Sequence, residues 1–281
     1  MKINSVRIPN INKRKIIESL GKNKRLNNRG LLDYRDMNIE LGISKNAEGS
    51  ARVKIGKTEI IAGVKLSTQE PYPDHEDEGT MSVFMEFSPL CGERYESGPP
   101  KIDSIEIARI VDRGIRESGF IDWKALCIKK NEKVWSIMVD IYCINDDGNI
   151  LDASSMAAIA ALQSAYFPRY DEKEEKVKFG EFTKNKLPLT KNIPFQMTFY
   201  EIKENLLLDA DREEEDISNG RFTITLSQPK NEKIINALQK GGKSAFSSQE
   251  INLMIENSEK IYDTYFLKID NQIKKLIKTK N

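Results

Sequence analysis

Histidine and cysteine are scarce: one histidine, His75, and three cysteines, Cys91, Cys127 and Cys143, occur in 281 residues. A single histidine leaves little room for a His-rich metal site or a Ser-His-Asp triad. An odd number of cysteines without C-x-x-C spacing indicates neither a disulfide framework nor a zinc ribbon, and fits a reduced, cytoplasmic protein. Net charge is also missing, since 44 Lys and Arg face 43 Asp and Glu. The longest apolar run, Met156–Leu162, falls far short of a bilayer span, so no membrane partner is expected. The start, Met1 to Arg7, lacks the apolar stretch of a secretory signal. What is present is 39% hydrophobic and 31% charged residues, the composition of a soluble globular chain with a real core. The length suggests about two domain-sized units.

Balanced totals hide opposed blocks. Residues 1–30 hold nine basic residues against Glu18, and residues 67–98 hold eight acidic residues against Arg94. Such blocks suit a subunit that meets partners through complementary patches, or they are two solvated surfaces. From Met37 the pattern reads as strands. Arg52–Ile55 alternates, Gly56-Lys57 supplies a two-residue turn, and Thr58–Val64 returns. Met81–Phe87 and Lys133–Ile144 are further strands, the first with Val83, Met85 and Phe87 on one face. Ile102–Ser118 reads as a helix capped at Asp103 or Ser104, with Ile107, Ala108, Val111 and Ile115 as its apolar stripe. Asp152–Tyr166 is a second, alanine-rich helix, capped at Asp152 or Ser154 and stopped by Tyr166-Phe167-Pro168. A charged, strand-poor segment follows at 169–192, and the grammar then repeats. Phe195–Lys203, Leu206–Leu208, Phe222–Leu226 and Lys233–Leu238 read as strands, and Ser247-Ser248-Gln249-Glu250 opens a long amphipathic helix with a capping box. Beyond Lys268 the lysine-rich tail is expected to fray. Strands followed by helix, twice over, point to an α+β architecture.

Four motifs carry chemistry to be weighed. Gly241-Gly242-Lys243-Ser244 ends like a phosphate-binding loop, but Ala237 stands where the first glycine belongs, so it reads as a turn. Asp74-His75-Glu76-Asp77-Glu78 lacks the alternation and glycine of a calcium loop and reads as a solvated acidic loop. Arg109, Arg113 and Arg116 share one face of the first helix. Arginine suits bidentate grip of a phosphodiester, yet Glu106, Asp112 and Glu117 stand at pairing distance along the helix and could absorb the charge. Asp209, Asp211, Glu213, Glu214, Glu215 and Asp216 could bind magnesium or form an acidic turn.

Asp33-Tyr34-Arg35, the stretch Asn46 to Thr58, Glu106-Ile107-Ala108-Arg109-Ile110-Val111-Asp112-Arg113, and Asp147-Gly148-Asn149-Ile150-Leu151-Asp152-Ala153-Ser154 occur in this order. In order and spacing the chain resembles the RNase PH family from about residue 20 to residue 268. It is most similar to the non-catalytic RNase PH-like subunit of the archaeal exosome. The resemblance implies an RNase PH-like α+β fold of two similar β-α units, mostly antiparallel sheets with packed helices. The expected division is a basic N-terminal segment at 1–30, a first domain at 31–168, a linker at 169–192, a second domain at 193–270 and a lysine-rich tail at 271–281. It implies a hexameric ring of three heterodimers with a catalytic RNase PH-like subunit, a trimeric RNA-binding cap, and phosphorolysis of RNA from its 3′ end.

Departures from the catalytic pattern set the role expected of this chain. Catalytic relatives carry Gly-Gly and small hydroxyl residues at a phosphate-binding turn. Gly148-Asn149 stands here, with Asp152 placed to cap the helix amides and repel a dianion. Of two aspartates spaced six apart, the first falls at Glu215 and the second at Arg221, a reversal of charge. The resemblance thus implies no catalytic residue, metal ligand or cofactor in this chain. It implies RNA binding by Arg109 and Arg113, reaching toward the partner's active site; Arg116 has no such support. The alternatives are a phosphorolytic 3′ exoribonuclease active by itself and a scaffold that never touches RNA.

Overall fold

The computed structural model describes residues 9–280, so the first eight residues of the basic N-terminal segment, with Lys2 and Arg7, lie outside it. Helix α1 (Asn10–Leu20) buries Ile16 and Leu20 and leaves its lysines outside. Strands β1 (Met37–Leu41), β2 (Gly49–Ile55) and β3 (Thr58–Gln69) form an antiparallel meander. The β2–β3 turn requires glycine: Gly56 has φ +58°, and a Cβ there would lie 2.6 Å from Arg35 Cδ. Strand β4 (Thr80–Phe87) leads to helix α2 (Ile102–Glu117), and β5 (Cys127–Lys129) to β6 (Lys133–Asn145). The sheet order is β1-β2-β3-β6-β4, with β5 on β6 and with β4 parallel to β6. Helix α3 (Ile150–Gln163) packs on β2 and β3 of this sheet. It is buried from Ile150 to Leu162, which explains its alanines. A side chain at Gly49 would meet Ala161 O at 2.3 Å, so this glycine lets helix and sheet touch.

Strands β7 (Tyr166–Asp171) and β8 (Lys176–Lys186) pair as a hairpin. A second sheet, ordered β10-β9-β11-β12, holds β9 (Phe195–Ile202), β10 (Asn205–Leu208), β11 (Gly220–Ser227) and β12 (Ile234–Gly242), with helix α4 (Arg212–Ile217) between β10 and β11. Helix α5 (Ser248–Ile261) passes through a π-helical turn, Tyr262–Phe266, into α6 (Leu267–Lys280). Helix α3 also contacts β9, so one core runs from Val53, Ile60 and Val139 through Ala157 to Met197, Ile224 and Met254. These are the two β-α units and the mostly antiparallel sheets expected from the sequence.

Several local expectations need correction. The segment 169–192 holds most of a hairpin; β8 is exposed on both faces, so no period of two marks it. The tail does not fray: Ile269 and Ile273 are buried among the lysines of α6 and fix it against β1. Helix α2 begins after Lys101, and Ser104 bonds back to the Lys101 carbonyl instead of capping. Helix α3 begins after Asn149, which takes φ +53°, so neither Asp152 nor Ser154 is its cap. Tyr166-Phe167-Pro168 opens β7. Helices α1 and α4 were not foreseen. The capping box of Ser247 and Glu250 stands as read.

The halves are tied by a buried carboxylate. Asp209, 0% exposed, accepts from Arg35 Nε and Nη2 at 2.9 and 2.8 Å, from the Arg35 amide at 2.8 Å, from Arg29 Nη1 at 2.9 Å and from Asn149 Nδ2 at 2.8 Å. Burial opposes its charge, but the bonds from Arg35 and Asn149 prevail and hold Asp209 below the usual carboxylate range. Arg35 also donates to Asp147 O and Gly148 O, at 2.7 and 3.1 Å. The loop before β1, the turn before α3 and the end of β10 thus meet at one residue. Asp209→Ala should lower unfolding free energy in urea by about 3–5 kcal/mol, because two arginines are left buried without their acceptor. Glu40→Ala, which loses only an exposed pair with Arg52, should cost less than about 1 kcal/mol.

Candidate nucleic-acid interface and the adjoining cavity

A cavity of about 710 Å³ opens between the two units, where α2, the start of α3, α4 and β11 converge. Its lining includes Glu215 and Arg221, the two positions that the resemblance sets against the paired aspartates of catalytic relatives. Neither is free. Glu215 Oε1 accepts from Tyr200 Oη at 2.5 Å and Oε2 from Arg212 Nη1 at 2.7 Å. Arg221 Nη2 donates to Glu106 Oε1 of α2 at 2.5 Å. Arg212 also pairs with Asp216 and with Asp146 Oδ2, the latter at 3.1 Å, and Arg94 holds Asp216 at 3.2 Å. Burial alone would weaken the Arg212 charge, but Glu215, Asp146 and Asp216 outweigh it and raise its pKa. The guanidinium groups of Arg94, Arg212 and Arg221 are thus each paired, while Lys13, Asp103 and Lys243 of the lining form no ion pair among the described residues.

Arg212 was missed in the sequence because α4 was missed. Its signals were present: Asp211 and Glu214 form a capping box, and Arg212, Glu215 and Asp216 follow at helical spacing. The six carboxylates of this run diverge. Asp209 is the buried tie, Asp211 the cap, and Glu213 accepts from Asn12. Glu214 is buried against Arg25, while Glu215 and Asp216 line the cavity. Among the described residues no group of three His, Cys, Asp or Glu is placed to hold a metal ion.

Asp152 is not the guard of an anion cradle that the sequence suggested. It is fully buried under β9, where Oδ2 accepts from Tyr34 Oη (2.9 Å), Asn149 Nδ2 (3.0 Å) and the Thr198 amide (3.1 Å), and Oδ1 from Thr198 Oγ1 (2.7 Å). Its carboxylate faces the second sheet and caps no amide of α3. The turn before it is shaped by backbone packing. Gly148 has φ +85°, and a Cβ there would lie 2.5–2.7 Å from the backbone of residues 210–212. The part of α3 that reaches the cavity is Ile150 and Leu151. Gly241 and Gly242 are the last residues of β12, paired with Arg221 and Gly220 of β11, so they form a strand end where the sequence suggested a turn, and no nucleotide loop.

Arg109 and Arg113 lie outside the cavity, exposed on α2. Two of the three acids that could have neutralised them are aimed elsewhere, Glu106 on Arg221 and Asp112 on Arg116 at 2.8 Å, and Glu117 forms no ion pair among the described residues. Among the described residues neither Arg109 nor Arg113 has a hydrogen-bond or ion-pair partner. Arg116, third in the stripe, is engaged; it also donates to Met81 O at 3.0 Å and stacks over Trp123. The stripe therefore divides into two free guanidinium groups and one structural one.

Models of the 3′ exoribonuclease family match the chain in two parts, domain 1 over residues 33–168 and domain 2 over 192–261. The chain belongs to this family, the RNase PH family. Within it, the chain is 38% identical over 270 residues to exosome complex component Rrp42 of Methanosarcina acetivorans, spanning 94% of this chain and 97% of that one. It is 41% identical over 229 residues to the Rrp42 of Archaeoglobus fulgidus, spanning 81% and 83%. An Archaeoglobus fulgidus exosome structure with RNA bound to the active site contains a chain of the same shape (TM-score 0.80, 35% identity, 91% of this chain and 98% of that one). An archaeal exosome core gives a TM-score of 0.76 at 34% identity over 96% of both chains. Rice Rrp46, at 15% identity and a TM-score of 0.67, shares the fold.

Asp152 generates a test in pH. Burial pushes its carboxyl up to about 6, against the pull of its four hydrogen bonds. A folded value above the unfolded one means that the native state binds the extra proton between about pH 4 and 6, so this residue's contribution to stability declines as pH rises through that window. Asp152→Asn removes the titration. The melting temperature of the wild type minus that of the variant should therefore shrink from pH 4 to pH 7; a difference that grows over this range would contradict the assignment.

Proposed function

We propose that the chain is a non-catalytic ring subunit of an archaeal exosome, built of two RNase PH-like halves at 31–168 and 193–270. In this reading it binds RNA phosphates through Arg109 and Arg113, while a catalytic RNase PH-like partner performs phosphorolysis and a trimeric cap delivers RNA. The relatives support the assembly: their names are those of an exosome component and the similar solved structures are archaeal exosomes, one with RNA bound. The observation that carries the non-catalytic role is the guanidinium at 221 paired to Glu106, in a cavity where Glu215 and Asp216 are held by Arg94, Arg212 and Tyr200. A general acid needs a carboxyl group that can carry and deliver a proton, and a metal ligand needs a carboxylate oxygen with a free lone pair. Here that position carries a positive charge. The two unpartnered arginines on α2 support RNA contact, since a helix fixes their backbone and neither forms an ion pair among the described residues.

Two measurements check the proposal. The purified chain incubated with RNA and inorganic phosphate should release no nucleoside diphosphate, whereas the chain assembled with a catalytic subunit should do so. Release by the chain alone would make it an enzyme in its own right. The double variant Arg109→Glu, Arg113→Glu should weaken RNA binding by the assembled ring and flatten log K against log salt by about 1.4, roughly 0.7 for each lost contact to single-stranded phosphate. An unchanged affinity and slope would remove both residues from the RNA path.

A further inference from the structure

The double glycine at the end of β12 serves neither a turn nor a nucleotide loop, yet Gly241 has a steric role. It is the ladder partner of Arg221 on β11. A Cβ at Gly241 would lie 2.8 Å from Arg221 Cζ and Nε and 3.0 Å from Cγ, so the Arg221 side chain lies across the bare backbone of β12. Gly242 takes φ +79° and needs glycine for its backbone; Gly241 has no such φ and provides room instead. Helix α2 runs over the same side of β11. Gly114 stands over Thr225, where a Cβ would come within 3.2 Å, and Glu106 stands over Arg221. From Glu106 to Gly114 the helix advances about 12 Å, and from Arg221 to Thr225 the strand advances about 13 Å, so the two contacts keep helix and strand in register.

Glu106 has a choice of two arginines, Arg221 across the seam and Arg109 one turn along its own helix. It takes Arg221. An exposed pair along a helix is screened by water and costs both side chains their freedom, whereas Arg221 is already confined between β12 and the cavity and loses little more on pairing. With its nearest acid engaged, Arg109 stands exposed on α2 without an ion-pair partner among the described residues. Arg113 lies about two turns from Glu106 and is outside this exchange.

We propose that Gly241 and Arg221 are positioning residues for the RNA contact. Gly241 makes the room in which Arg221 crosses β12, Arg221 takes up Glu106, and Arg109 thereby meets the RNA backbone as an unpaired cation. Neither Gly241 nor Arg221 touches RNA in this arrangement. The inference rests on the reading that Arg109 grips RNA phosphates, and it gives the guanidinium at 221 a use beyond standing where catalytic relatives carry a carboxylate.

The test is the affinity of the ring, assembled with its catalytic subunit, for single-stranded oligoadenylate, read by fluorescence anisotropy at fixed salt. Arg109→Ala gives the full loss of that contact. Arg221→Met and Gly241→Ala should each weaken binding about twofold, the weight of one helix pair three residues apart. Gly241→Ala should do so with every charge still in place. Adding Glu106→Gln to either variant should restore the affinity, and neither should weaken binding further once Arg109 is replaced by alanine. A crystal structure of the free Arg221→Met chain should show Glu106 turned onto Arg109; Glu106 still directed into the cavity would overturn the proposal. A loss in Arg109→Ala with none in Arg221→Met and Gly241→Ala would overturn the positioning role and leave the RNA reading intact. A loss in Arg221→Met that persists in the Arg109→Ala background would also overturn it, because Arg221 would then act by another route. No loss in Arg109→Ala would overturn the RNA reading itself.

Discussion

The structure depends on one buried charge cluster. Asp209 directly follows β10 in the second unit; its partners Arg35 and Asn149 come from the first unit and Arg29 from the segment before it. Placing a carboxylate in a core is costly unless its lone pairs are filled by donors of opposite charge. Here they are, and the geometry permits little play, because the bidentate contact with Arg35 fixes both the distance and the rotation of one unit against the other. The same guanidinium spans the carbonyls of Asp147 and Gly148, so the turn leading into α3 is set by the contact that joins the halves. Asn149 then links Asp209 to Asp152, and Asp152 to Tyr34 and Thr198. The cavity is a by-product of this seam, and its shape follows from how the two units are clamped.

On that clamp the chain has arranged its charge in two different ways. Inside the cavity every guanidinium meets a carboxylate, with Arg212 bridging α4 to the end of β6 and Arg221 bridging β11 to α2. A site wired in this fashion is rigid and near neutral, which suits structure better than turnover. Outside, on α2, the pairing of Glu106 with Arg221 removes the acid that would otherwise face Arg109. The guanidinium at 221 and the unpaired cation at 109 are thus linked through one acid, Glu106. That link makes the RNA-binding and non-catalytic halves of the proposal a single electrostatic account.

Much of this was legible in the sequence where periodicity and caps coincide. The β2–β3 hairpin was signalled by alternation around Gly56-Lys57, and α5 by the Ser247–Glu250 box, because local chemistry dictates both. The ordered motifs were legible as a family pattern, yet their physical meaning was not. Tyr34, Arg35, Gly148, Asn149 and Asp152 turn out to build the seam, and no local rule predicts that residues more than a hundred positions apart share a carboxylate. Asp152 is the clearest instance. At a helix start a carboxylate reads as a cap, but tertiary donors on β9 claimed it. β8 and α6 were hidden for the opposite reason, since lysine and glutamate outnumber the few residues that hold each in place. Arg109 and Arg113 could be named as candidates, but their separation from Arg116 depended on where Glu106 and Asp112 point.

The most direct measurement is a structure of the chain assembled with its catalytic partner and a short RNA. The account predicts backbone phosphates within hydrogen-bonding distance of the Arg109 and Arg113 guanidinium groups, the 3′ end in the partner, and the Arg221–Glu106 pair intact. A 3′-terminal nucleotide seated between Glu215 and Arg221 of this chain, with that pair broken, would contradict it.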